Sequence, residues 1–450
     1  MIPLVGRAIS CSKAGRPARS SNASALLLRK GAKHDRAATA EGCDGPAPGL
    51  RGRLQRSRTA DDRARLRGRS RRRAVATEVQ PGRRSGLDLP YGCHQPRRSR
   101  GHPGAAVRWS DGRHRRPGRP VGLEAARAPV VSIRELGTLG GAVSQAKAVN
   151  RRGQVVGTSR DSLGRTRAFL WQEDLGIVDL QPLTGVNTSA NDINDNGEIV
   201  GGGDTGFGDF HAYFLSAGTS FDLGTLGGNE SEALAVNGRG QVAGHSRSGG
   251  AGAAPKHAFV IAEPGTMIDV GSLGGAMSVA HDLNDRGEAV GLAETQTGAP
   301  RAFVWTATDG MRDLGTLGAA SMALGINDRT EVVGGSGHAF LWTARGGMVD
   351  LGTLGGRTSC ANAINEAGCI VGASQTGETD ARGLPVTHAF LRTPEGGMLD
   401  LGTLGGVHSA AVALTDIVGA QHAAPLLLVA GHSHDASGRM RAVLWAVRLG

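Results

Sequence analysis

The chain has 450 residues, room for two or three ordinary domains or one large repeat array. Its 72 glycines follow no three-residue period and only 18 prolines accompany them, which excludes collagen and points to many tight turns between short strands. The formal net charge of +11 averages two unlike parts. Residues 1–128 carry 27 Arg and 3 Lys against 9 acidic residues, whereas the remainder carries 21 basic and 31 acidic residues, so charge alone sets a boundary near residue 128.

The first 128 residues are rich in Arg, Gly, Pro and Ala and show neither strand nor helix periodicity. Runs such as Arg63–Arg73 (RARLRGRSRRR) cannot bury an apolar face, so this part reads as disordered. A basic arm for nucleic acid is one reading, although only Tyr91 and Trp109 are available to stack on bases. A transit peptide is a second, weakened by the length and the missing amphipathic helix. The favoured reading is sequence upstream of the native start, because all four abundant residues have GC-rich codons. Met1–Val5 is apolar, but Gly6-Arg7 ends the run too early for a signal peptide. No run of 18 apolar residues occurs, so no transmembrane helix is expected.

From about residue 130 three landmarks recur in phase. The first is LGTLGG and its variants, at Leu136, Leu180 (LQPLTG), Leu223, Val270, Leu314, Leu351 and Leu401. The second is N-x-x-G followed by an apolar pair and Gly, at Asn150, Asn194, Asn237, Asn284, Asn327 (NDRT) and Asn365, with Thr415-Asp416 in the seventh place. The third is HAFLW, at Arg167, His211, His257, Arg301, His338, His388 and Arg441. Each apolar piece is 4–7 residues long and rich in Val, Ile, Leu, Phe and Trp, which is strand length and composition. In N-x-x-G the Asn side chain starts a turn and Gly takes the positive φ, which predicts a hairpin. The Gly after each apolar pair (Gly157, Gly201, Gly244, Gly291, Gly334, Gly372, Gly431) falls inside a strand, where glycine marks close approach of another backbone.

Four short strands in about 44 residues, seven times over, are the dimensions of β-propeller blades. The expected fold is all-β: a seven-bladed β-propeller of four-stranded antiparallel blades over residues 129–450, behind the disordered basic segment 1–128. The chain ends on Arg441–Gly450 without a following fourth strand, and the repeat begins on Val131–Gly137, which has the sequence of that strand. The first strand is therefore expected to complete the last blade and close the ring, removing free edges. A parallel solenoid would not need the hairpin turns.

Taken together, HAFLW, DLGTLGG and IN-x-x-GQVVG resemble the bacterial HAF repeat, a probable extracellular repeat, over roughly residues 131–450. The resemblance implies a secreted or surface protein of unassigned activity and carries no catalytic residues with it.

The candidate chemistry is sparse. The histidines His211, His257, His338 and His388 occupy one repeated slot that Arg167, Arg301 and Arg441 also fill, so a hydrogen bond to a neighbouring turn is expected rather than metal ligation. His432, His434 and Asp435 (HSHD) form the one compact histidine cluster, a weak metal candidate because i and i+2 on a strand share a face. Asp192–Asp195 and Asp282–Asp285 resemble calcium loops, but turn capping accounts for them and the calcium-loop spacing is absent. Gly201, Gly203 and Gly206 fit G-x-G-x-x-G, yet a strand follows where a phosphate site needs a helix. Cys360 and Cys369 flank one hairpin out of register for a disulfide. No catalytic residue, cofactor or bound metal is expected. The expected function is a non-catalytic, monomeric extracellular or cell-surface binding module for a glycan or protein, presented on variable loops (161–166, 248–256, 375–387), with nucleic acid unlikely as a partner of the repeat region. The alternative is a secreted carbohydrate-active hydrolase or lyase with its site at the propeller channel. Such a site should break the repeat symmetry, and the sequence shows two breaks, HSHD and the irregular stretch Gly202–Phe210.

Overall fold

The computed structural model describes residues 129–249, 255–263, 265–318, 320–416 and 426–449. The basic segment 1–128, expected to be disordered, lies outside the described residues. Among the described residues there are 28 strands and no helix, and so no helix long and apolar enough to cross a membrane.

The strands form antiparallel units of four. The first unit consists of Gly140–Val149, Val155–Asp161, Thr166–Gln172 and Gly176–Asp179, each paired with the next. Units two to six repeat this order over residues 188–224, 231–269, 274–313, 322–350 and 359–400. The seventh takes three strands from the end of the chain, Gly405–Leu414, Leu426–Asp435 and Met440–Arg448, and its fourth from the beginning of the repeat, Val130–Glu135. That strand runs antiparallel to the last one, from Val130 opposite Arg448 to Glu135 opposite Val443. First strands of successive units touch, and the seventh touches the first. The arrangement is β-propeller-like, with the first strands nearest the axis.

The core lies between units. Seven separate apolar clusters occur, and the one that joins the ends of the repeat packs Val155, Phe169 and Trp171 of the first unit against Ala430 and Ala442 of the seventh. The HAF phenylalanines (Phe169, Phe259, Phe303, Phe340, Phe390) are fully buried, each contributing about 2 kcal/mol of apolar burial. Close approach fixes the in-strand glycines. A Cβ on any of the seven would lie 1.9–2.1 Å from a carbonyl oxygen of the adjacent first strand.

The N-x-x-G hairpins form as expected. Asn150 Oδ1 accepts the N–H groups of Arg152 and Gln154, and Gly153 has φ +73°. The fifth unit keeps the turn with Thr330 in the glycine place at φ 56°. The asparagine also does something not visible in the repeat. Its Nδ2 donates to the backbone carbonyl of the equivalent residue in the next unit, from Asn150 to Asn194 and on to Asn237, Asn284, Asn327, Asn365 and Thr415. Thr415 lacks the amide that would return to Asn150. The Arg151–Asp416 ion pair spans that junction instead. One expected loop is shorter than its sequence suggests: within 375–387, strands continue to Thr379 and resume at Pro385.

Candidate functional site

The repeated histidine slot is structural. His211, His257, His338 and His388 each place Nδ1 at 2.7–2.9 Å from a carboxylate oxygen of Asp222, Asp269, Asp350 or Asp400, the Asp of the following D-L-G or D-V-G. In the first unit Arg167 meets Asp179 at 2.9 Å, and in the seventh Arg441 meets Glu135, contributed by the closing strand, at 3.3 Å. The partner is thus the end of the fourth strand in the same unit. The same aspartates accept the next glycine N–H, as Asp350 does from Gly352 at 2.8 Å, and so start the turn into the next unit.

The axis carries a second repeated device. Every first strand has a register shift at the same place, which singles out Lys147, Asn191, Leu234, His281, Leu324, Asn362 and Val412. Such bulges re-aim a side chain. The polar members bond into the next unit: Lys147 Nζ to Asn191 Oδ1 at 2.6 Å, Asn191 Nδ2 to Ala233 O at 2.7 Å, His281 Nδ1 with Ala323 O at 3.0 Å and Asn362 Nδ2 to Ala411 O at 2.7 Å. Glu232 joins this arc by accepting from Asn191 at 2.9 Å and Ser189 at 3.2 Å. Burial pushes the Glu232 carboxyl up, but the charges of Lys147 and His245 and these two hydrogen bonds leave it below its ordinary value. His245 stands opposite Glu232 in the ladder, and its buried Nδ1 has no partner. Burial holds it, like His281, well below the usual imidazole range.

Asp192 and Asp282 follow the bulges in units two and four, where the other units have Ala or Gly. Each keeps some surface open and is otherwise surrounded by protein. Burial raises Asp192 to about 6, and burial together with the Asp192 charge raises Asp282 to about 8. Both carboxylates are engaged: Asp192 accepts from Ile193 and Val236 at 2.8 Å, and Asp282 accepts from Leu283 at 2.8 Å and Ile326 at 2.9 Å. The acids at the turns likewise cap the neighbouring unit, Asp195 taking the Arg151 N–H and Asp285 the Gly238 N–H.

The symmetry breaks most openly at the outer edge of unit two. Elsewhere the loop before the first strand is clasped. Ser159, Ser246, Ser336, Ser374 and Ser433 accept the N–H of Leu139, Leu226, Leu317, Leu354 and Leu404 at 2.8–3.0 Å. In the fourth unit Ala293 replaces that serine, but Ser272 Oγ still donates to Gly275 O at 2.6 Å. The loop Leu180–Gly185 has neither link, because Pro182 replaces the Thr or Ser and Gly203 replaces the strand serine. Gln181 adopts φ 42° where the other six loops have a positive-φ glycine, a strained conformation of the kind that gathers at functional sites. Thr188 stands where the other six units have Ser, and a Cβ on Gly203 would lie 3.0 Å from its methyl, so the added methyl fills the space of the missing side chain.

A cleft of about 490 Å³ opens at this place, between the loop Gln181–Thr184, the hairpin tip Thr205–Asp209 and the edge residues His211, Ser220 and Asp222. Phe207 at the tip is 97% exposed. Ser220 Oγ is buried and has no hydrogen-bond partner within the protein. The sequence flagged the stretch 202–210 as irregular. It gave no sign of Ser220 or Gln181, although the departure of LQPLTG from LGTLGG was open to view.

The HSHD residues do not act as one group. Asp435 accepts from Ser437, Arg439 and Arg441 and caps the hairpin that Ser437 and Gly438 turn. His434 packs edge-on against His408, with ring centroids 5.3 Å apart, and His432 is held below the usual imidazole range, to about 4, by burial and then by the His434 charge. Among the described residues no group of three or more His, Cys, Asp or Glu side chains is placed to hold a metal ion. Of the glycines in the apparent G-x-G-x-x-G, Gly201 is fixed sterically: a Cβ there would lie 1.9 Å from Ser189 O. Cys360 and Cys369 are buried and form no disulfide, since Cys360 lies opposite Ala373 and Cys369 sits in the turn.

No family model and no curated protein matches the sequence. Among solved structures, TolB from Acinetobacter baumannii is similar at 10% identity and a TM-score of 0.33, over 46% of this chain and 52% of that one, so the match spans about half of TolB. The gluconolactonase XC5397 from Xanthomonas campestris is similar at 13% identity and a TM-score of 0.34, over 71% of this chain and 90% of that one. A mutant of AofleA from Arthrobotrys oligospora is similar at 9% identity and a TM-score of 0.31, over 73% and 95%. At this distance no residue and no activity is carried over.

Proposed function

We propose that residues 129–450 form a closed seven-bladed β-propeller of HAF-repeat type, and that it is a non-catalytic binding module working outside the cell or at its surface. The observation that carries the binding reading is the blade-two cleft. The repeat gives up two clasps and a glycine there, and the result is an open, amphipathic recess in place of a closed loop. Variation at a rim held by a constant scaffold is the usual way a fold acquires a ligand.

The catalytic alternative has one observation in its favour, the two buried carboxylates Asp192 and Asp282 with raised pKa values. Against it, each of those carboxylates is held by two backbone N–H groups, and the polar bulge residues beside them bond into the next blade. These groups serve to lock neighbouring blades together. The test is a glycan and protein array with the full chain and its Phe207→Ala variant. Hits that the variant loses support the reading, and hits that it retains, or turnover of any arrayed glycan that Asp282→Asn abolishes, count against it.

A further inference from the structure

The binding reading leaves the class of ligand open, and the chemistry of the cleft narrows it. No Lys or Arg lines the recess, and its acids are Asp209 and Asp222. An anionic ligand would meet like charge there, with the His211 ring already paired to Asp222. Asp222 is committed to His211 and to the Gly224 N–H. The other polar walls are neutral and can both donate and accept: the Gln181 amide and the Thr184 and Thr205 hydroxyls. Ser220 Oγ lacks a partner but is closed off from the recess and meets no ligand there. Phe207 adds a flat apolar face at the mouth, almost wholly open to solvent. The negative face of an aromatic ring attracts polarised C–H groups.

A ligand matching all of this is uncharged, has one face of C–H groups and is ringed by hydroxyls. We propose, resting on the cleft reading above, that the blade-two cleft binds a neutral saccharide, its pyranose C–H face on Phe207 and its hydroxyls on Gln181, Thr205 and Asp209. The volume of about 490 Å³ lies within the ~300–1,000 Å³ of small-molecule sites and suits a short oligosaccharide.

Saturation-transfer NMR and calorimetry on the full chain test this with cellobiose, maltose and lactose as neutral probes, digalacturonate as the acidic probe and putrescine as the cationic one. At least one neutral disaccharide should bind, with no measurable binding of digalacturonate. Phe207→Ala should weaken binding roughly tenfold and Thr205→Ala about fivefold. Leu384→Ala, at the exposed tip of another blade, should change nothing. Unchanged melting of the variants separates loss of binding from loss of fold. Binding of digalacturonate or putrescine that Phe207→Ala removes would overturn the saccharide assignment and keep the cleft. Absence of cleft-dependent binding by every probe and by the array overturns both.

Discussion

The loops entering the sixth and second blades begin alike and end differently. In the sixth, Thr353 donates to Gly356 O at 2.9 Å and Leu354 donates to Ser374 at 2.8 Å, with Gly352 taking the positive φ. In the second, Pro182 and Gly203 stand at the sites of those two side chains, and Gln181 accepts the φ that glycine should have. One loop is closed by its own hydrogen bonds and the other borders a cleft. The difference teaches that this repeat holds its shape through small side-chain clasps, not through the apolar strands alone. Removing clasps at one blade leaves the ladder intact and frees a surface.

The comparison can be broken most severely at the in-strand glycines. Gly334→Ala places a Cβ 1.9 Å from Met322 O, on backbone that cannot yield, and should cost at least about 3 kcal/mol in urea unfolding. Gly203→Ala, in the loosened blade, meets the Thr188 methyl and the Leu183 side chain at 3.0 and 3.3 Å, with its nearest backbone atom, Asn187 O, at an ordinary 3.4 Å, and should stay within about 1 kcal/mol of the parent. Equal losses at the two positions would remove the distinction between scaffold and cleft glycines.

The axis supplies a pH test. Asp282 titrates near 8 in the fold against 3.8 as its reference value, so between those values the native state holds a proton that the unfolded chain has released. Its contribution is complete at low pH and is lost as pH rises through 8. His245, His281, His408, His432 and His434, whose folded pKa values are lowered from 6.5, add stability as pH rises through that value, so pH 7.5–8.5 isolates the carboxyl. The melting temperature should fall by roughly 2 °C across that window. In Asp282→Asn the fall should largely vanish, whereas an unchanged slope would place the titration elsewhere.

Smaller effects come from one polar link between blades and one within a blade. Asn284→Ala removes a turn cap and the bond to Asn327 O and should cost about 2 kcal/mol by thermal denaturation. His338→Ala removes a pair in which both partners are partly exposed, and no more than about 1 kcal/mol is expected at neutral pH. If the two costs came out reversed, the HAF histidine and not the asparagine ladder would be the main polar fastening.

Much of the architecture was legible in the sequence because it rests on local rules repeated seven times. The N-x-x-G turns gave the hairpins, the in-strand glycines gave the crowding, and the staggered ends gave the pairing of Val130–Glu135 with Met440–Arg448. What stayed hidden depends on the distance between blades. That Asn150 reaches the carbonyl of Asn194, and that Asp192 and Asp282 cap the next blade, follows only once the units are packed. The bulge that aims Lys147 and His281 has no composition of its own. HSHD drew notice by adjacency along the chain, yet the fold gives Asp435 to a turn and sets His434 beside His408, which is 26 residues earlier. The cleft was half legible: the irregular tip stood out, but its floor comes from Ser220, which no pattern marks.

The most direct test is to close the cleft by restoring the repeat. Gln181→Gly, Pro182→Thr and Gly203→Ser, with Thr188→Ser to make room, rebuild in blade two the clasp of the other blades. The restored chain should melt at a higher temperature than the parent and lose every ligand that the parent binds in a Phe207-dependent way. A restored chain that melts higher and still binds those ligands would contradict the account, because the open loop would then have nothing to do with binding.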